Sequence, residues 1–174
     1  MRTRSILALI LTFSAATFVL SGKEFTYVGS TVCKQCHKAK LKGGQYVIWE
    51  QSPHSRSFAG LATDKAGEIA KSAGVADPGT NPQCLGCHAP LAVKAPEFKA
   101  EGVTCEVCHG PGSDYKKLNI MQDRAKAAEN GLALFNGDPG AIQAHCLKCH
   151  QNAHGVVFDF AAGWDKIKHP VPGR

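Results

Sequence analysis

The 174-residue sequence predicts a mainly α fold with little regular structure, on three observations. The length suits one domain. The candidate helices are short and closed by glycine or proline. The cysteines fall in a pattern that builds compact local turns: all eight lie in CxxC pairs, Cys33/Cys36, Cys84/Cys87, Cys105/Cys108 and Cys146/Cys149. Each pair is followed directly by a histidine, His37, His88, His109 and His150 in turn. With 8 histidines in the chain, composition does not account for that coincidence.

CxxC pairs alone would suit zinc ribbons, thioredoxin-like sites or, in an exported chain, disulfides. The added histidine points instead to c-type haem attachment. Two thiols on one turn reach the two vinyl groups at one porphyrin edge, and the next histidine lies under the iron as proximal ligand. Four motifs therefore predict four covalently bound haem c groups. That leaves about 38 residues for each haem, too few to wrap each cofactor separately. The expected architecture is a small multihaem cytochrome c whose core is built from four closely packed haems, an arrangement suited to electron hopping.

In chain order, Arg2 and Arg4 precede an uncharged apolar run from Ile6 to Leu20 and then small residues. Residues 1–22 read as a secretory signal peptide and residues 23–174 as the tetrahaem domain. The run is short for a spanning helix, so no stable membrane insertion is expected after cleavage. QYVIWEQSPHSRSFAGLA reads as a helix broken at Ser52 and Pro53, with His54 in the first turn of the restart. A second helix starts at Thr63 and closes at Gly74, and VADPGTNPQ is loop. HAPLAVKAPEFKAEGVT is mostly irregular. After the third motif, Gly110–Gly112 form a tight turn, and Ser113 is read as the cap of one helix that runs to Gly131. The tail FDFAAGWDKIKHP gives a short helix ended at Pro170. Trp49 and Trp164 read as packing residues, and KAKLK after His37 as a solvated helix end.

Four histidines remain for four sixth positions: His54, His145, His154 and His169. His54, on a helix remote from every motif, is a candidate sixth ligand, against the alternative of a surface histidine. His145 adjoins Cys146 and cannot easily reach the far face of its own haem, so it is assigned to a neighbouring one, against a propionate or backbone contact. His169 precedes proline, whose extended bias can aim the ring inward. His154 has only proximity to recommend it. Met121 is read as a thioether ligand or as core packing.

The elements YVGSTVCKQCH, WEQSPHSRSF, QCLGCH, GVTCEVCHGPGSDYKK and HCLKCH, in this order from Tyr27 to His150, resemble the cytochrome c-554 family. The resemblance implies a mainly helical fold with haems in stacked pairs, and it supports His54 and His145 as sixth ligands. It also implies tolerance of a five-coordinate haem, at the second motif. Relatives carry a histidine shortly after the GPG turn, whereas GPGSDYKKLNIMQD has none. Met121 is expected to take that place, leaving His169 to another haem or the second haem open.

The predicted function is an exported carrier, periplasmic or extracellular, passing electrons between donor and acceptor redox proteins. No Ser/His/Asp or paired-carboxylate site suggests an enzyme. Two alternatives are reduction of a small nitrogen species at an open haem, and self-association into a conductive extracellular filament. The formal +6 charge includes the two signal arginines, and haem propionates would offset most of the remainder, so the basic balance gives no nucleic-acid reading.

Overall fold

The computed structural model describes residues 23–171, and the expected signal peptide lies outside them. Among these residues the chain consists of short helices, 3-10 turns and loops, with no strand. No helix among them is long and apolar enough to cross a membrane.

Helix α1, Ser30–His37, carries the first motif. Gly29 precedes it at φ +79°, where a Cβ would sit 2.5 Å from the Phe98 ring, so both backbone and space demand glycine. The helix supplies no acidic residue in its first turn and no side-chain cap of its own. Two distant carboxylates satisfy those leading N–H groups instead. Ser30 N donates to Glu101 at 2.9 Å, and Gly29 N and Val28 N donate to Glu106 at 2.8 and 3.0 Å.

A 3-10 turn, Lys40–Lys42, leads into α2, Gln45–Gln51, which packs on α1. Ser52 turns extended (ψ 160°), and Pro53 opens a 3-10 turn through Arg56, so the expected break falls where proline and serine place it and His54 enters the new first turn. Helix α3, Asp64–Ser72, is capped by the Thr63 hydroxyl, which accepts from Ala66 N at 3.3 Å. The Asp77 side chain organises the following loop by accepting from Gly79 N and the Thr80 hydroxyl. Helix α4, Pro82–His88, carries the second motif behind an Asn81 cap with proline at the first position. The stretch expected to be irregular contains a 3-10 segment, Pro96–Glu101.

Helix α5, Cys105–His109, holds the third motif and is capped by Thr104. The single helix expected from Ser113 to Gly131 is in fact two: α6, Leu118–Met121, and α7, Arg124–Glu129. Asp123 divides them, because its carboxylate accepts from Lys126 N at 3.1 Å and starts a new helix there. Ser113 is no cap. It pairs with the N-terminal segment, its N donating to Thr26 O at 3.0 Å and its hydroxyl accepting from Thr26 N at 3.1 Å. Helix α8, Pro139–Cys146, brings in the fourth motif behind an Asp138 cap, and α9, Phe160–Ile167, starts at Asp159 and stops before Pro170.

The apolar interior is thin. Buried hydrophobic residues include Leu61, Leu91, Tyr46 and Tyr115, the others being alanines, and the largest fully buried side chains are polar: Glu106, Thr104 and Ser30.

Candidate haem sites

Each motif sits on one compact turn, α1, α4 and α5 for the first three, and the end of α8 with the turn after it for the fourth. All eight cysteines are free thiols. Burial pushes the Cys108 and Cys149 thiols up to about 11. Among the described residues, no three of the histidine, cysteine and acidic side chains converge as metal ligands.

The motifs meet across the fold. Helix α1 packs on α5, where the Cys33 thiol is pushed up mainly by its hydrogen bond with the Cys105 thiol, then by burial. The Cys105 thiol reaches the Ser30 hydroxyl at 3.6 Å. The second and fourth motifs meet where Cys149 Sγ approaches the Gly86 carbonyl at 4.0 Å with Cys87 beside it. Burial raises the Cys108 thiol, with the neighbouring Cys146 adding to it.

Two motif histidines face a second imidazole. The His54 and His150 rings have centroids 6.1 Å apart, and the His109 and His169 rings 5.8 Å apart. Two metal–imidazole bonds of roughly 2 Å, plus the depth of each ring, span about 6 Å, so each gap matches one iron atom. Phe158 stacks on His150 at 4.2 Å and steadies it. Among the described residues His169 Nδ1 is buried without a hydrogen-bond partner, an orphaned polar atom that fits a metal-binding role for this ring. Burial, followed by the neighbouring His169, pushes His109 down to about 4, keeping it in the neutral form that binds iron. Burial lowers His54 as well, with His150 adding to it.

The other two motif histidines are oriented from behind. His88 Nδ1 lies 2.9 Å from the Ser57 carbonyl, and His37 Nδ1 3.3 Å from Gln45 Oε1. Since both acceptors are carbonyl oxygens, each ring carries its proton on Nδ1 and leaves Nε2 free. Sequence reasoning missed Ser57 and Gln45. Their signal was present only as proximity to the SPH and motif segments, which does not reveal a partner.

The remaining candidates are placed differently. His145 sits edge-on to Phe135 at 5.2 Å, with Lys148 Nζ 3.4 Å from its Nδ1. Met121 ends α6 half-buried, and His154 is exposed at φ +57°. The Trp49 indole N–H donates to the Val103 carbonyl at 2.8 Å, a packing anchor.

Also missed was Glu106, the second residue of CEVCH and only 2% exposed. It joins Val28, Gly29 and Gly112, the last at 2.7 Å. Burial, then the Glu106 charge, pushes the Tyr115 hydroxyl up.

A helical chain with a thin apolar core, CxxCH turns in contact and facing imidazoles defines a c-type cytochrome, with covalently bound haem c. The family model for cytochrome c554 and c-prime matches residues 32–110, which contain the first three motifs. Cytochrome c-554 of Nitrosomonas europaea is 27% identical over 163 residues, covering 82% of this chain and 67% of that relative. Over the stretch that holds its first three motifs the chain is similar to the cytochrome c554 family. No solved structure matches.

Proposed function

We propose that this chain is an exported tetrahaem carrier that passes electrons between periplasmic or surface redox proteins. The carrying observation is the meeting of motifs, α1 packing on α5 and Cys149 Sγ of the fourth motif approaching the Gly86 carbonyl of the second. When bound, haem c supplies a one-electron iron couple. The chain's part is to fix the order and spacing of four such sites, with Cys33, Cys36, Cys84, Cys87, Cys105, Cys108, Cys146 and Cys149 as thioether anchors and His37, His88, His109 and His150 as proximal ligands.

In this reading His54 serves the fourth site opposite His150, and His169 the third opposite His109, supported by the ring separations. His145 and Met121 are left for the first and second sites, where one position can stay open. The intact mass of the exported protein should exceed the chain by four haems, and those haems should be reduced rapidly by a redox partner protein. A mass shift of zero would end the reading, and full haem content without electron exchange with any partner would end the carrier role. The purified protein should be monomeric, whereas a polymer would favour the filament.

A further inference from the structure

Two carboxylates lie where the first and third motifs meet, and electron transfer as derived above gives them no task. Both Glu106 oxygens are occupied by backbone donors: Oε1 by Gly112 N at 2.7 Å, Oε2 by Gly29 N at 2.8 Å, and both by Val28 N at 3.1 and 3.0 Å. Three backbone N–H groups thus hold both carboxyl oxygens in place at this junction. Glu101 accepts from Ser30 N at 2.9 Å on the same helix start. Among the described residues no lysine or arginine forms an ion pair with either. The ion pairs there join Lys23 and Lys117 to Asp114, Lys34 to Glu50, and Lys168 to Asp165.

Glu106 stands between Cys105 and Cys108, on the turn that would bear one haem edge, and its side chain grips the residues that lead into Cys33 and Cys36. Its charge is therefore buried beside two attachment sites at once. A ferric site carries one more positive charge than a ferrous site, so fixed negative charge in a weakly screened interior favours the ferric form.

We propose that Glu106, assisted by Glu101, holds down the reduction potential of the haem sites at the first and third motifs. This rests on the reading that both motifs carry haem. One electron enters the iron from the redox partner, and no bond is made or broken. The pair at α1 and α5 then forms the low-potential end of the relay, and the carboxylates give the relay its direction.

The test is a potentiometric titration of the holoprotein with Glu106→Gln, Glu101→Gln and Glu106→Asp. At fixed applied potential, Glu106→Gln should shift the ferrous-to-ferric ratio of at least one haem about tenfold toward ferrous, equivalent to about 59 mV for one electron. Glu101→Gln, at a less buried position with a single backbone contact, should shift it in the same direction by less. Glu106→Asp keeps the charge and should leave the potential near wild type even where it lowers the denaturation midpoint. If Glu106→Gln does not fold, Glu101→Gln decides the matter. Unmoved potentials in the glutamine variants at full haem content, or equal shifts in the Gln and Asp variants, would overturn the proposal. Haem missing from the first and third motifs by intact mass would instead overturn the haem reading beneath it.

Discussion

At the scale of single residues, a covalent haem separates attachment from ligation, because thioethers keep the cofactor in place when an axial side chain is removed. His54→Ala should therefore convert one haem from low-spin to high-spin without losing any haem, as read by the ligand-field spectrum and intact mass. His169→Ala should do the same at a different haem, since His169 faces His109 and His54 faces His150. An unchanged low-spin count would return either histidine to ordinary packing. Met121→Ala should lower one potential or open that haem to carbon monoxide, and no change in either would make Met121 core packing. The CxxCH motifs stand out in the sequence because their pattern is local, five residues on one turn. Which imidazole faces which does not, because His109 and His169 meet only through the path of the whole C-terminal half.

At the scale of elements, the chain is organised by caps and breaks more than by hydrophobic stripes. Proline and serine announced the interruption before His54, and threonine announced α3. Asp123 was overlooked because an aspartate inside a helix-favouring run reads as a surface charge until its N–H partner is seen. Helix α8 was overlooked although Asp138 and Pro139 form an ordinary start signal, because its few residues merge into the fourth motif. Gly102 shows how such a junction carries the sites. At φ +69° and ψ −128° it occupies a conformation open essentially to glycine, and a Cβ would lie 2.6 Å from the His54 carbonyl and against the Ser57 hydroxyl. That hydroxyl donates to the carbonyls of both His54 and His88 at 2.8 Å, so the junction ties a distal candidate to a proximal one. Gly102→Ala should cost about 1–3 kcal/mol of stability from backbone strain, with the steric clash adding to it. Denaturant unfolding should show the loss, and a rise in high-spin haem should accompany it. A wild-type midpoint would mean that the junction bends freely.

At the scale of the whole molecule, the question is what holds such short helices together. An isolated helix this short does not persist in water, so each needs a packed face. Yet the buried apolar side chains are mainly two leucines, two tyrosines and a set of alanines, while Glu106, Thr104 and Ser30 occupy the most enclosed positions. Burying a leucine contributes about 1.5–3 kcal/mol, so a core with so few large apolar side chains gives short helices little to pack against. The backbone clasps at Glu106 and Glu101 satisfy donors but bury little apolar surface. On the proposed tetrahaem reading, porphyrins attached to the motif turns would supply the flat apolar area that the side chains lack. A chain with all eight cysteines replaced by serine should therefore lose most of its far-ultraviolet helical signal and melt without a cooperative transition, even with every helix cap intact. If that chain kept its helices and unfolded cooperatively, the polypeptide would have a core of its own, and the motif turns would be ornaments on a fold that does not depend on haem.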